Sequence, residues 1–196
     1  IEGEVVGSIK SVFNTDGNKI EFNKYESFGR LIYNTSYNYN SEGRIIESNE
    51  SDTLGLRKKN IYSYNLYGSI TQILSSDVHG NQSFKRDYIY DDMQNNIEEN
   101  KYSSDGSWWK TKYKFDGIGN KIEETSSDSW TSKNGKTTFK YDNKRNNIER
   151  SLFNFEGELT FKNSFIYNSR NFIIEDFDLF SRYGNSARSK HIYKYD

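Results

Sequence analysis

Two adjacent carboxylate pairs, Glu98-Glu99 and Glu123-Glu124, are by type the residues best suited to acid–base catalysis or metal binding. Neighbouring residues on a strand point to opposite faces, so neither pair converges on one substrate atom. The pairs also belong to a series, because Glu21, Glu47, Gln72, Glu98, Glu123, Glu149 and Glu175 recur at one spacing. Catalysis needs one irregular site. An acid present in nearly every copy of a repeat reads instead as half of a cross-strand pairing with Lys or Arg. The stretch Asn14-Thr15-Asp16-Gly17-Asn18 is like part of a calcium loop, and Asp116-Gly117-Ile118-Gly119-Asn120 faintly so. Calcium wants six to eight oxygen ligands with a late bidentate carboxylate. These segments recur as turns even in copies that lack the acids, so they read as turns. His79 and His191 have no nucleophile at a recognisable spacing and read as surface residues.

Trp108, Trp109 and Trp130 are the most informative deviations. They gather around two turns where the connection is also about four residues longer than elsewhere. Trp108 and Trp109 should project from opposite faces, leaving at least one exposed. An exposed Trp beside Tyr113 suits stacking on a sugar ring or anchoring a protein partner. The alternative is a local cap over the apolar face. Trp108, Trp109, Tyr113 and Trp130 are therefore the candidate ligand-binding residues. No catalytic residue, metal ligand or cofactor motif stands beside them.

The elements that position these residues follow from composition and periodicity. The 196 residues hold 27 Lys+Arg against 28 Asp+Glu, and this balance argues against a nucleic-acid binder. There is no cysteine and hence neither a disulfide framework nor a thiolate metal site. No run approaches the length of a membrane-spanning helix, and no signal peptide is recognisable. Only 33% of residues are hydrophobic, but half of these are aromatic. Each aromatic ring buries a large area, and Tyr, Phe, Trp, Ile, Val and Thr favour strands over helices. An ordered, nearly all-β chain with a thin apolar layer is the expectation.

An aromatic followed by Asp or Asn recurs at Phe13, Tyr39, Tyr64, Tyr90, Phe115, Tyr141 and Tyr167, in steps of 26, 25, 26, 25, 26 and 26 residues. Tyr195-Asp196 begins an eighth copy. A second aromatic sits two residues earlier, and an isoleucine follows seven residues later at Ile20, Ile46, Ile97, Ile122, Ile148 and Ile174, with Thr71 in the third copy. An Asx-x-x-Gly turn lies between them, where Asx hydrogen-bonds the backbone and Gly accepts positive φ. Gln94, Arg145 and Asn171 replace that glycine, and the first two turns are expected to be relaxed. Outer turns fall half a period later, at Gly29, Gly55, Gly80, Gly106, Gly135, Gly157 and Gly184. A two-residue loop would place the isoleucine on the aromatic face, and a three-residue loop with a bulge on the other. Because the residues between the aromatics are mostly polar, the two-residue loop is preferred. It predicts one Tyr/Phe/Ile face and one Glu/Lys/Ser/Asn face.

The strings Tyr88–Glu99 (YIYDDMQNNIEE), Tyr113–Glu124 (YKFDGIGNKIEE) and Phe139–Arg150 (FKYDNKRNNIER) resemble the YD repeats of bacterial Rhs-type proteins over roughly residues 11–196. The repeat here is longer, and several glycines are missing. The resemblance implies β-sheets that serve as shells around a toxin or as cell-surface spacers. It also implies bacterial origin, export or surface exposure, and repeats without catalytic residues.

The sequence thus predicts an all-β antiparallel meander of about fourteen strands forming a curved open sheet, with a sandwich or closed barrel as the alternative. Residues 1–196 read as a single domain of about seven repeats, either a piece of a longer array or a chain with frayed terminal strands. The predicted role is a non-enzymatic bacterial surface or secreted scaffold with a protein partner. A carbohydrate-binding module on the Trp/Tyr residues comes second, and a hydrolase with a carboxylate pair from different repeats third.

Overall fold

The computed structural model of the chain describes residues 7–131, 135–182 and 185–195. Fifteen strands follow in chain order: β1 (Ile9–Phe13), β2 (Lys19–Tyr25), β3 (Leu31–Tyr39), β4 (Ile45–Asp52), β5 (Gly55–Tyr64), β6 (Ile70–Ser76), β7 (Gln82–Tyr90), β8 (Asn96–Ser103), β9 (Trp108–Phe115), β10 (Lys121–Asp128), β11 (Gly135–Tyr141), β12 (Asn147–Phe153), β13 (Leu159–Tyr167), β14 (Ile173–Arg182) and β15 (Asn185–Ile192). They form one antiparallel meander in sequence order, without helices among the described residues. The order does not close into a barrel, since β1 and β15 stand at its two ends. By contacts the chain divides into two compact units, Ile1–Tyr88 with Lys101–Gly106, and Ile89–Asn100 with Ser107–Asp196.

The inner turns explain the repeat. In each, the Asx amide donates to the carbonyl four residues on, as from Asn40 to Arg44 at 2.9 Å and from Asp116 to Asn120 at 2.9 Å. The Asx side chain accepts the same residue's amide, as in Asp116 Oδ1 with Asn120 N at 2.9 Å. This closes a three-residue loop, which corrects the expectation of two. The last loop residue has positive φ, +84° at Gly119. Gln94 and Arg145 take φ of 62° and 67° and keep the turn's hydrogen bonds at 3.0 and 3.1 Å, so these turns are not relaxed. Closure of the surrounding ladder holds them in a region that costs L-residues roughly 1–2 kcal/mol. Of the outer-turn glycines, Gly135 is not among the positive-φ residues, and Gly184 lies outside the described residues.

A second irregularity follows at once. Tyr39 faces Ile45, but Asn38 faces Glu47, so Ile46 is skipped. Ile20, Thr71, Ile122, Ile148 and Ile174 are skipped in the same way. The isoleucine landmark is therefore a bulge residue, unpaired in the ladder. The bulge explains the tyrosine as well. Tyr39 donates its hydroxyl to Lys19 O at 2.7 Å, Tyr64 to Ile45 O at 2.6 Å, Tyr141 to Lys121 O at 2.9 Å and Tyr167 to Asn147 O at 2.8 Å. Each acceptor is the residue just before the bulge of the preceding copy. One copy's phenol thus satisfies a carbonyl where the previous copy's ladder is interrupted.

Burial runs against the expected apolar layer. No described hydrophobic residue is buried; the buried residues are polar, among them Ser48, Asn60, Ser75, Asn100 and Ser151. Asn60 Nδ2 donates to Ser48 Oγ at 3.1 Å, and Ser75 Oγ donates to Asn60 Oδ1 at 2.6 Å. Pairing places Ser48 opposite Tyr37 and Asn60, so this network shares the aromatic face. The aromatics are half-buried against neighbours within the sheet, and the small polar residues lie beneath them. The residues between each aromatic pair, from Asn38 to Lys140, are exposed, as are Ile89 and Ile166 at that position. The clean Tyr/Phe/Ile face is thus not formed.

Candidate functional site

The carboxylate ladder pairs across strands. Lys59 Nζ meets Glu47 at 2.7 Å, Lys110 meets Glu98 at 2.7 Å, and Glu149 receives both Lys140 at 2.9 Å and Lys162 at 2.6 Å. Hydrogen bonds from Lys59 and Asn49 hold the Glu47 carboxyl below its usual range. At Glu98 and Glu149 burial opposes ionisation, but the lysine hydrogen bonds outweigh it and both stay lowered. Within the pair Glu123-Glu124 the two acids go to different lysines, Lys114 at 2.6 Å and Lys121 at 2.7 Å. These two adjacent acids therefore do not converge.

The tryptophans sit on β9 and the turn after β10. Trp109 faces Asp128 in the ladder, and Asp128 Oδ1 accepts the amides of Trp130 at 2.9 Å and Thr131 at 2.7 Å. Those amides hold the Asp128 carboxyl below its usual range and fix the turn that carries Trp130. The Trp109 and Trp130 rings meet edge to face, with centroids 4.9 Å apart and planes at 83°. Trp130 is 68% exposed and Trp109 is half-buried. Trp108, adjacent on the strand, belongs to the other face and pairs through its backbone with Ser129.

Tyr113 shares the face of Trp109 but lies four residues along, roughly 13 Å away. The Lys121 ammonium stands 5.2 Å from its ring centroid. Tyr113, Ile89, Met93, Ile97, Phe115 and Ile122 line an open depression of about 620 Å³. Ile97 and the bulge residue Ile122 thus line the same depression as Ile89, from the exposed position between two aromatics. The four candidates therefore divide into one edge-to-face pair, one residue on the opposite face and one in a separate depression.

The sequence did not signal this depression. Its cause is legible only in retrospect, since Phe115 is one of two phenylalanines in a column of tyrosines. Ile122 is 37% exposed and Met93 62%. Both histidines are exposed, as expected. His191, however, has a partner that sequence order did not reveal, for its Nδ1 lies 2.6 Å from Asp176 Oδ1. That contact lowers the Asp176 carboxyl and raises the imidazole.

No family model matches the chain, and no curated protein does. Among solved structures the chain is similar to TcdB2-TccC3 without its hypervariable C-terminal region, at 13% identity and a TM-score of 0.48. The alignment covers 94% of this chain and 13% of that one, so the chain spans a small part of that protein. It is also similar to a porin-like protein from Bacteroides uniformis, at 10% identity and a TM-score of 0.46, over 94% of this chain and 86% of the other. Neither likeness shows a family for this chain. No helix among the described residues is long and apolar enough to cross a membrane.

Proposed function

We propose that the chain is a non-enzymatic repeat scaffold, secreted by or displayed on a bacterial cell, that engages a protein partner through side chains left uncovered on its strands and outer turns. The observation that carries this reading is the burial pattern. No described apolar residue is buried, whereas Trp130, Met93 and Ile89 are 68%, 62% and 45% exposed. Large exposed apolar groups suit a protein surface better than a sugar, and the depression that holds Met93 and Ile89 is also lined by the paired Lys112 and Glu98. A sugar platform wants a flat ring, and Trp109 packs its neighbour at 83°.

A photocrosslinking residue at position 130 tests the reading against an extract of bacterial surface proteins. The scaffold expects a discrete adduct that is absent when the crosslinker sits at Lys144, on an inner turn. A glycan array run in parallel tests the second reading. A saturable tryptophan-fluorescence shift abolished by Trp109→Ala would replace the scaffold with a carbohydrate module. Turnover in a hydrolase substrate panel would replace both.

A further inference from the structure

The last hairpin carries a constellation that the other copies do not. Asp176 and Asp178 alternate on β14 and so share a face. His191 on β15 stands directly opposite Asp176, and Ser189 opposite Asp178. Among the described residues, only here do three His or carboxylate side chains bring their ligand atoms within 4.8 Å of one another. Both carboxylates are oriented by neutral donors. Tyr193 OH donates to Asp176 Oδ2 at 2.7 Å, Asn163 Nδ2 to Asp178 Oδ1 at 2.5 Å, and Ser189 Oγ to Asp178 Oδ2 at 3.4 Å. His191 Nδ1 lies 2.6 Å from the other oxygen of Asp176. The ladder glutamates Glu47, Glu98, Glu123, Glu149 and Glu175, by contrast, are matched to lysines.

The repeat supplies an internal control. Positions 176, 178 and 191 correspond to Ser48, Glu50 and Asn60 in the β4–β5 hairpin, by their offsets from the ladder glutamate and the first aromatic. There the same register holds a hydrogen-bonded network with a single acid, in which Asn60 donates to Ser48 at 3.1 Å and to Glu50 at 3.4 Å, and Glu50 is matched to Lys58. The last hairpin keeps the register but exchanges Ser/Glu/Asn for Asp/Asp/His. All three new side chains are metal ligands.

We propose that Asp176, Asp178 and His191 bind a divalent transition cation of the zinc class, with water completing the coordination, and so staple β14 to β15. One imidazole nitrogen and two carboxylate oxygens suit zinc, cobalt or nickel, whereas calcium requires six to eight oxygens. Zinc holds such ligands at about 2.0–2.2 Å, which puts them roughly 3.4 Å apart in a tetrahedron. The three ligand atoms now lie within 4.8 Å of one another, and side-chain rotation would bring them to that spacing. The ion takes the place of the present 2.6 Å contact between Nδ1 and Oδ1. Tyr193, Asn163 and Ser189 then act as outer partners that fix the carboxylates.

Calorimetric titration of the full chain with zinc alone tests the site, together with the visible spectrum of bound cobalt. One zinc per chain is expected, with at least about tenfold weaker binding in His191→Ala and in Asp178→Asn and no change in His79→Ala. Paramagnetic cobalt should shift the imidazole protons of His191 and leave those of His79 in place, a readout on the unaltered protein that survives any folding defect of the variants. Absence of saturable binding, equal loss in His79→Ala, displacement of zinc by calcium, or cobalt shifts at His79 would each overturn the proposal.

Discussion

Strands β5 and β9 occupy the same position in the repeat and solve the same problem in different ways. On β5, Tyr64 caps the carbonyl of Ile45, and polar side chains of β4 and β6, Ser48 and Ser75, close around Asn60, which is 5% exposed. On β9 the corresponding residues are Phe115 and Thr111. Phe115 carries no hydroxyl for the equivalent carbonyl, that of Asn96, and the nearest Thr111 contact is a 3.5 Å approach to Ser126. In exchange β9 carries Trp108 and Trp109, and its neighbourhood holds the open depression. A regular copy spends its polar groups on order within the sheet. The irregular one leaves surface that is free to meet something else.

What the two strands share should give the largest effect. Glu47 serves β5 through Lys59 and Glu98 serves β9 through Lys110, and both carboxyls are lowered in the fold. A lowered folded pKa contributes stability above the unfolded value of about 4.3 and loses it as pH falls through the folded one. The melting temperature should therefore hold from pH 7 to about 5 and drop steeply below about pH 4. Replacing Glu47, Glu98 and Glu149 together by Gln should flatten that drop, as read by circular dichroism at each pH.

The next effect separates the strands. Asn60→Ala leaves Ser48 and Ser75 without their shared partner and should cost about 1–3 kcal/mol in urea unfolding, whereas Thr111→Ala should cost under about 0.5. Tyr64→Phe makes β5 resemble β9 at the bulge and should cost about 0.5–1.5 kcal/mol. Phe115→Tyr is the reverse experiment. It supplies the missing hydroxyl to the Asn96 carbonyl and should raise stability by up to about 1 kcal/mol.

These pairs also show how much the sequence discloses. The 26-residue period, the meander and the Lys–Glu ladder are legible because strand alternation and turn chemistry act locally on Tyr-x-Tyr-Asp and its glycine. The loop length was not legible, since Asx-x-x-Gly fits both two- and three-residue loops and only the paired register distinguishes them. Nor was the bulge at Ile46 or Ile122, because a skipped residue leaves no mark in composition. The absence of a buried apolar residue escaped for a related reason. Aromatic counts predict area to bury, but burial needs a second layer, and in this meander the rings lean on neighbours of their own sheet. At the candidate site, opposite facing of Trp108 and Trp109 followed from alternation alone. The Trp109–Trp130 contact depends on the turn held by Asp128, and the pairing of Asp176 with His191 on a hairpin register fifteen residues apart.

The last expected effect is also small and concerns Trp130, which is 68% exposed. Trp130 meets Trp109 edge to face, a contact worth about 0.5–1.5 kcal/mol in a buried setting and less here, where the ring is 68% exposed. Trp130→Ala should change urea unfolding by less than about 1 kcal/mol, in contrast to Asn60→Ala. A residue that contributes so little to the fold, yet presents a large apolar ring from a turn fixed by two amide hydrogen bonds, is positioned for contact rather than for stability. If the unfolding midpoint instead falls as far in Trp130→Ala as in Asn60→Ala, the tryptophan pair is a local cap. The difference between β5 and β9 would then be one of packing style and not of function.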